Sequence, residues 1–310
     1  MRGRLWASIS CLLVFSLSHS LGSLASEAKY EAEERDFEVI RTVSLEEPSF
    51  TQGLEVLNGS IYQSSGLYGS SHLREIDIES GEVLRQLQIN DSYFAEGITV
   101  LDESIIMLTW KEEKAFHIDV SNFSITGNFS FDGEGWGICF NGEHLVMSNG
   151  TSDISFRDPE TFEINHTIQV TWDGKPVSRI NELECVEGSI LANVWKQDVI
   201  LSIDYFSGKV QYFVSPSSIT SNHGNDSNEV LNGIAFDISS GGFWITGKNW
   251  THIYLIEITD SEIQNQVQES RQFSSVAVTT LVATALLFTF LKTIRNKNEP
   301  ETPNFKDSRA

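Results

Sequence analysis

One carboxylate, Glu96, has sequence neighbours that favour acid–base chemistry. Phe94 lies two residues before it, and Trp110 ends the next apolar run. If aromatic rings surround this carboxyl group, desolvation raises its pKa toward the range in which a group gives and takes protons near neutral pH. Lys248 is the cation that we predict nearby. It could pair with Glu96, hold a carbonyl oxygen of a substrate, or remain a solvated loop charge.

The segment that begins at Glu96 belongs to an internal repeat. Five segments start with a polar or aromatic residue and continue with alternating small and apolar residues, at steps of about 40 to 50 positions. Their first residues are Gln52, Glu96, Trp136, Asn181 and Asn232. A repeat of this length is typical of a propeller blade, which contains four short strands.

Further strands run in phase with these five segments. In each unit one apolar strand follows the repeat, and a second ends in an acidic residue, at Asp77, Asp119, Asp158, Asp204 and Glu257. The fifth unit lacks a fourth strand, and residues 37–45 resemble the fourth strands of other units. The sequence therefore predicts an all-β fold over residues 37–260, a five-bladed β-propeller closed by an N-terminal strand that leaves no open sheet edge.

The first strand of each blade lines the central channel of a propeller. The five first residues should therefore converge near one channel mouth, although they could also bond only to each other and to channel water. Aromatic residues gather at neighbouring positions. Such a set favours an apolar pocket with a few placed polar groups. These aromatic residues are Phe50, Phe94, Trp110, Trp195 and Trp250.

The two ends of the 310-residue chain are hydrophobic. Residues 1–25 have the basic start, apolar run and small-residue cleavage site of a signal peptide, with an uncleaved anchor as the alternative. Residues 273–291 carry no charge and are long enough for a transmembrane helix, with a buried core helix as the alternative. Basic residues follow this run, so we expect residues 292–310 to form a cytoplasmic tail. The prediction is a single-pass type I membrane protein whose main domain is extracellular or in the lumen of the secretory pathway.

Glycosylation sequons agree with that location. Eight Asn-X-Ser/Thr sites occur, at Asn58, Asn90, Asn122, Asn128, Asn149, Asn165, Asn225 and Asn249. Outside the signal peptide the cysteines are Cys139 and Cys185, which we expect to be free thiols because inner strands diverge and the two positions are out of phase. The net charge of −22 argues against nucleic acid as a partner. The seven histidines have no metal-ligand spacing, so we predict no metal and no cofactor.

Nine short motifs make the sequence similar to a known family. They are 50–54 (FTQGL), 65–69 (SGLYG), 96–99 (EGIT), 108–110 (LTW), 134–137 (EGWG), 181–184 (NELE), 192–195 (ANVW), 231–235 (LNGIA) and 246–250 (TGKNW). In this order they resemble the plant-type glutaminyl-peptide cyclotransferases. The resemblance implies a five-bladed propeller that converts N-terminal glutamine of peptides to pyroglutamate and releases ammonia.

The resemblance also implies the site residues. The catalytic candidates are Glu96 as acid and base, and Lys248, Asn181 and Gln52 as groups that hold the amide and stabilise its oxyanion. The substrate-binding candidates that it implies are Phe50, Phe94, Trp110, Trp136 and Trp195, and the position of Trp250 close after Lys248 in the sequence adds it as a further candidate. The expected partners are peptides or proteins with N-terminal glutamine, and the membrane through the C-terminal helix.

Two departures from the family pattern concern the site. Asn149 replaces the Asp of a Ser-Asp-Gly motif, and Thr251 replaces a Pro, which makes Asn249 a sequon close to the expected mouth. A glycan there would crowd the site. The alternative function is therefore a non-catalytic propeller that binds peptides or glycans, since propellers are common binding platforms.

Overall fold

The alternating apolar residues of the repeat form antiparallel sheets in the computed structural model, which describes residues 32–223 and 228–259. The expected signal peptide 1–25, transmembrane helix 273–291 and tail 292–310 lie outside the described residues. Within those residues, no helix is long and apolar enough to cross a membrane.

The described chain is almost entirely β-structure. In chain order its elements are β1 Glu33–Glu34, β2 Asp36–Ser44, β3 Thr51–Leu57, β4 Ser60–Ser65, β5 His72–Asp77, β6 Val83–Gln88, β7 Ala95–Leu101, β8 Ser104–Thr109, β9 Lys114–Asp119, β10 Ile125–Ser130, β11 Ile138–Phe140, β12 Leu145–Ser148, β13 Asp153–Arg157, β14 Ile164–Gln169, β15 Thr171–Trp172, β16 Lys175–Pro176, β17 Ile180–Val186, β18 Ser189–Val194, β19 Ile200–Asp204, β20 Val210–Val214, the short helix α1 Ser217–Thr220, β21 Leu231–Asp237, β22 Gly242–Gly247 and β23 His252–Thr259.

The strands form five sheets that correspond to the five sequence repeats. Blade 1 is β3–β6, blade 2 is β7–β10, blade 3 is β11–β14, blade 4 is β17–β20, and blade 5 is β21–β23 with β2. The prediction of an all-β five-bladed propeller is confirmed. The strands β15 and β16 form a small separate hairpin.

The N-terminal strand completes the last blade, as predicted. β2 pairs antiparallel with β23, so that Asp36 lies opposite Thr259 and Ser44 lies opposite His252. Blade 4 has a fifth strand that the repeat did not predict, because β1 pairs in parallel with β20. Since β1 contains only two residues, it carries no periodic signal.

The hydrophobic core is divided among the blade interfaces. Five clusters of buried residues lie between successive blades, one at each of the five interfaces of the ring. Full burial of one large aliphatic side chain contributes about 1.5–3 kcal/mol. Each blade is therefore held by the two blades beside it, and the channel positions rest on a core on every side.

Glycines allow the inner strands to approach each other. A Cβ atom on Gly53 would lie 2.5 Å from the Ile98 nitrogen, and one on Gly97 would lie 2.7 Å from the Trp136 carbonyl oxygen. In blade 4 the position that corresponds to Gly53 and Gly97 is occupied by Glu182, which is fully buried. Its carboxylate accepts hydrogen bonds from the backbone of blade 5 and of blade 1, at Ile234 and Leu54. Glu182 thus ties together the blades at which the ring closes.

The prediction that Cys139 and Cys185 are free thiols is wrong. They form a disulfide between the inner strands of blades 3 and 4, with Cα atoms 5.5 Å apart. Gly137 has no side chain, and a Cβ atom there would collide with the backbone of Asn181 and Glu182. The two strands therefore stay close instead of diverging, and the disulfide forms despite the one-residue difference in phase.

Candidate active site

A cavity of about 260 Å³ opens where the inner strands begin. Gln52, Glu96 and Asn181 lie near the starts of β3, β7 and β17, Trp136 precedes β11, and Lys248 follows β22. The predicted site residues converge there, with Trp250 as the exception. The residues lining the cavity are Phe50, Gln52, Leu67, Phe94, Glu96, Trp110, Trp136, Asn181, Trp195, Asn228 and Lys248.

A bulge places the first residue of the repeat in four of the five blades. The pairing register between the first and second strands shifts at Gln52, at Glu96, at Asn181 and at Asn232. A β-bulge leaves a residue unpaired and redirects its side chain. The polar first residues are therefore released from the regular alternation of their strands and turned toward the channel mouth.

Gln52 links Lys248 to Glu96. The Lys248 ammonium donates to Gln52 Oε1 at 2.6 Å, and Gln52 Nε2 donates to Glu96 Oε1 at 3.2 Å. Because an ammonium can only donate, the amide oxygen must face Lys248 and the amide nitrogen must face Glu96. The cation and the carboxylate are thus connected through one amide, whose oxygen also accepts a longer contact from Asn232 Nδ2, at 3.4 Å.

A second amide, Asn232, orients Asn181. Asn232 Nδ2 donates to the carbonyl oxygens of Thr51 and Gln52, at 3.0 Å and 3.2 Å. This fixes Asn232 Oδ1 as the acceptor for Asn181 Nδ2, at 2.7 Å. Asn181 Oδ1 is buried and has no hydrogen-bond partner among the described residues. The sequence assigned no role to Asn232, and the structure makes it the anchor of Asn181.

Glu96 is a buried carboxyl group with an unpartnered oxygen. It is 5% exposed, and within the described part of the chain its Oε2 atom has no hydrogen-bond partner. Burial raises the pKa of Glu96 well above its usual range. The positive charge of Lys248 opposes this rise, and the negative charges of Glu134 and Glu112 add to it. The group can therefore hold a proton near neutral pH, and its Oε2 atom can still accept a hydrogen bond.

Lys248 is as buried as Glu96, and backbone hydrogen bonds fix the segment that carries it. Its nitrogen donates to Val230 O, and the next residue, Asn249, donates to Ser49 O, with both distances 2.9 Å or less. Its ammonium lies 4.8 Å from the centre of the Phe50 ring. Burial lowers the pKa of Lys248 to about 8, although the negative charge of Glu96 acts in the opposite direction. At neutral pH Lys248 is thus a desolvated cation.

Five rings form the aromatic wall of the cavity, defined here as Phe50, Phe94, Trp110, Trp136 and Trp195. They fall into two contact groups. Phe94 contacts Phe50 edge to face at 6.5 Å and Trp110 at 5.5 Å. Trp136 contacts Trp195 edge to face at 5.8 Å. An apolar wall around a few fixed polar groups is the usual composition of a small-molecule site.

The arrangement agrees with comparisons to known proteins. A family model described as glutamine cyclotransferase matches residues 11–258. The chain belongs to the glutamine cyclotransferase family. A glutaminyl-peptide cyclotransferase from Arabidopsis thaliana is 31% identical over 235 residues, which cover 74% of this chain and 73% of that protein. The crystal structure of Myxococcus xanthus glutaminyl cyclase matches with a TM-score of 0.69 and 31% identity, over 74% of this chain and 100% of that chain.

Trp250 does not occupy the position expected for a substrate contact in this glutamine cyclotransferase. It is 1% exposed, stacks on the His223 ring at 3.8 Å and donates from Nε1 to Glu229 O. Its ring packs directly against Gly247, where a Cβ atom would clash with it. Trp250 is therefore not part of the cavity lining, and the structure does not support the prediction that it contacts the substrate. Trp250 supports the turn that carries Lys248 from behind.

Three residues at the site were not identified from the sequence. Leu67 and Asn228 line the cavity, and Glu134 accepts hydrogen bonds from two tryptophans of the aromatic wall. Leu67 and Glu134 fall within the family motifs 65–69 and 134–137, and this position could have identified them as site residues. Asn228 follows a segment with no strand pattern, so no repeat position marked it.

Proposed function

We propose that this chain is a glutaminyl-peptide cyclotransferase, which converts N-terminal glutamine of peptides or proteins to pyroglutamate with release of ammonia. The observation that carries the proposal is the buried carboxyl group of Glu96, which lines an aromatic cavity together with Lys248 and whose Oε2 atom has no hydrogen-bond partner among the described residues. The cavity volume of about 260 Å³ is small for a ligand site. It therefore suits one terminal residue, and the rest of the peptide lies outside.

Two free acceptors define how the substrate binds. Glu96 Oε2 and Asn181 Oδ1 are the buried oxygens of the cavity that lack a partner among the described residues. The substrate offers two matching donors, its α-amine and its γ-carboxamide NH2. We assign the amine to Glu96 and the carboxamide nitrogen to Asn181. The aromatic wall holds the side chain bent back on the amine, which supplies the proximity that this intramolecular reaction needs.

The reaction needs one group that takes and returns a proton. The α-amine nitrogen attacks Cδ of the carboxamide, forming the ring C–N bond, while Glu96 in its carboxylate form accepts the proton that the nitrogen loses. The protonated Glu96 then donates to the carboxamide nitrogen. The bond between that nitrogen and Cδ breaks, ammonia leaves, and Glu96 is again a carboxylate. Its raised pKa suits both steps near neutral pH.

Lys248 stabilises the oxyanion of the tetrahedral intermediate. An ammonium has three N–H donors, and one of them is used by Gln52 Oε1. Gln52 Nε2 and Asn181 Nδ2 each donate one N–H, to Glu96 and to Asn232, and neither carries the positive charge that the ammonium brings to an oxyanion. We therefore assign oxyanion stabilisation to Lys248, orientation of the Lys248–Glu96 pair to Gln52, and substrate binding to Asn181. The sequence analysis had given these three residues one common role, holding the amide and stabilising its oxyanion.

We also propose that the reaction uses no metal and no cofactor. Attack of an amine on an amide requires a proton acceptor and a stabilising charge for the oxyanion, and Glu96 and Lys248 supply these. The test is turnover after dialysis against a chelator that binds both zinc and calcium. Undiminished kcat supports the proposal, and loss of activity that is restored by adding back a metal contradicts it.

For its location, we propose a type I membrane protein with the propeller on the lumenal or extracellular side. The sequons of the described residues support this, because Asn58, Asn90, Asn122, Asn128, Asn149, Asn165 and Asn249 are all exposed. The disulfide between Cys139 and Cys185 also supports an oxidising compartment. Protease protection in intact microsomes tests the orientation, since the propeller should be protected and residues 292–310 accessible.

The activity is tested by assaying the purified full-length chain with a dipeptide that begins with glutamine. Pyroglutamate and ammonia should form well above the spontaneous rate. Glu96→Gln should lower kcat by about 10²–10⁴-fold, the usual contribution of a general acid–base group. Glu184→Gln is the matched control, because Glu184 is a buried channel carboxylate outside the cavity. It should retain wild-type activity.

The result also decides the alternative of a binding propeller. Asn249 is exposed and directly follows Lys248, so a glycan there would lie beside the cavity. If the wild-type chain is inactive and the Asn249→Gln variant, which lacks the sequon, is inactive too, the proposed enzymatic function is contradicted and the binding function is favoured. A Glu96→Gln variant as active as the wild type would contradict the assignment of Glu96.

A further inference from the structure

Glu134 joins the two halves of the aromatic wall. Its Oε2 atom accepts hydrogen bonds from the indole nitrogens of both Trp110 and Trp136, at 2.9 Å and 3.0 Å. Trp110 belongs to the ring group with Phe94, and Trp136 belongs to the ring group with Trp195. One carboxylate oxygen is thus the link between two sets of rings that come from different blades.

The backbone around Glu134 holds it at this junction. Gly135 donates to the Trp110 carbonyl at 2.9 Å, and a Cβ atom on Gly135 would lie 2.7 Å from the Thr109 carbonyl oxygen. Only glycine lets this loop pack so closely on the end of β8. The close packing brings Glu134 against the Trp110 indole.

The other carboxylate oxygen is also engaged. Glu134 Oε1 lies 3.6 Å from the Lys111 ammonium, which in turn sits 3.8 Å from the centre of the Trp110 ring. Glu134 remains 39% exposed, so it lies at the rim and does not reach the reacting atoms. The indole N–H of a buried tryptophan usually has a hydrogen-bond partner, and here one anion is the partner of two indoles.

We propose that Glu134 is a positioning residue that holds Trp110 and Trp136 in the orientation that accepts a bent glutaminyl side chain. The proposal rests on the proposed cyclotransferase function. It assigns to Glu134 a role through the two indoles and no proton transfer. The necessary property is a well-placed acceptor oxygen, which a glutamine side chain also has and an alanine lacks.

The test compares Glu134→Ala with Glu134→Gln in the full-length enzyme. Alanine removes the acceptor of both indole N–H groups, so KM for a glutamine-initiated dipeptide should rise at least about tenfold, since the loss of even one charge-assisted hydrogen bond corresponds to a change of about that size. Glutamine keeps an oxygen at the same distance and should hold KM within about threefold of wild type. Asp132→Asn is the matched control on the same loop, because Asp132 is exposed and lies outside the cavity lining. It should leave KM unchanged.

A pH profile separates the charge of Glu134 from its acceptor. Its negative charge helps to raise the pKa of Glu96, so both Glu134 variants should move the acid limb of kcat to lower pH. Only alanine should also raise KM. A variant that merely folded less well would contain less active enzyme, but the pH of its acid limb and its KM would be those of the wild type.

Near-UV circular dichroism gives a readout that does not depend on turnover. Glu134→Ala should lose part of the tryptophan signal, and Glu134→Gln should retain it. Wild-type KM and an unchanged spectrum in the alanine variant would overturn the proposal, as would a glutamine variant as impaired in KM as alanine. An inactive wild-type enzyme would overturn the proposed function alone, and the spectra would then decide the role of Glu134.

Discussion

Replacing Lys248 should remove the basic limb of the pH–rate profile. Burial lowers the pKa of Lys248 to about 8, so the side chain is a cation below that pH and becomes neutral above it. If the cation stabilises the oxyanion, activity of the wild type falls as pH rises through about 8. Lys248→Met has no such titration, and Lys248→Arg keeps its charge to far higher pH.

The size of the loss follows from the contacts of the ammonium. Removal of one oxyanion donor typically costs about 2.7–4 kcal/mol, or about 10²–10³ in kcat. Lys248→Met also leaves Gln52 Oε1 with a weaker contact, to Asn232 Nδ2 at 3.4 Å, in place of the 2.6 Å bond from the ammonium. Since the positive charge holds down the pKa of Glu96, its removal should shift the acid limb to higher pH.

The assay is kcat/KM for a glutamine-initiated dipeptide across neutral and alkaline pH. The α-amine of the substrate must lose its proton to attack, so its own titration raises activity with pH and cannot produce the basic limb. Lys209→Met is the control, because Lys209 is an exposed lysine on the turn between β19 and β20. A basic limb that persists near pH 8 in both Lys248→Met and Lys248→Arg would refute the assignment.

Two further predictions concern stability. Replacing Cys139 and Cys185 by serine should lower the free energy of unfolding by about 2–4 kcal/mol, since the disulfide closes a loop with a sequence separation of 46 residues. The measurement is urea unfolding without reductant, and an unchanged midpoint would contradict the prediction. Burial raises the pKa of Glu55 to about 7 from an ordinary value of 4.5, so its contribution to stability is fully present below pH 4.5 and is lost as pH rises toward 7. Glu55→Gln should therefore gain stability relative to wild type as pH rises through that window, and thermal melts with the same difference at pH 5 and pH 8 would count against it.

Much of the fold and the site was predictable from local pattern. The repeat beginning at Gln52 and Glu96 recurs because every blade must present one inner strand to the channel, and its glycines recur because neighbouring backbones touch there. The N-terminal closing strand β2 was predictable for the same reason, since an unpaired blade edge would otherwise remain. A residue's place in the repeat therefore indicated its place in the cavity.

Properties that depend on two distant segments were decided by tertiary structure. The Cys139–Cys185 disulfide depends on how closely two inner strands approach each other, and no spacing within one strand encodes that distance. Trp250 follows Lys248 closely in sequence, yet its ring turns into the core between blades 4 and 5. Sequence proximity located the segment and did not give the direction of the side chain.

The five-bladed repeat and the residue types that gather at the channel mouth could be read from the order of the amino acids alone. The tertiary structure decided which atoms of those residues remain available. Asn232 accepts one N–H of Asn181, whose Oδ1 has no partner among the described residues, and Gln52 bonds to both Lys248 and Glu96. The physical reason is that hydrogen-bond donors and acceptors are assigned by the whole network. Periodicity reports only which side of a strand a residue occupies, whereas the free oxygen of Glu96 results from contacts among three blades.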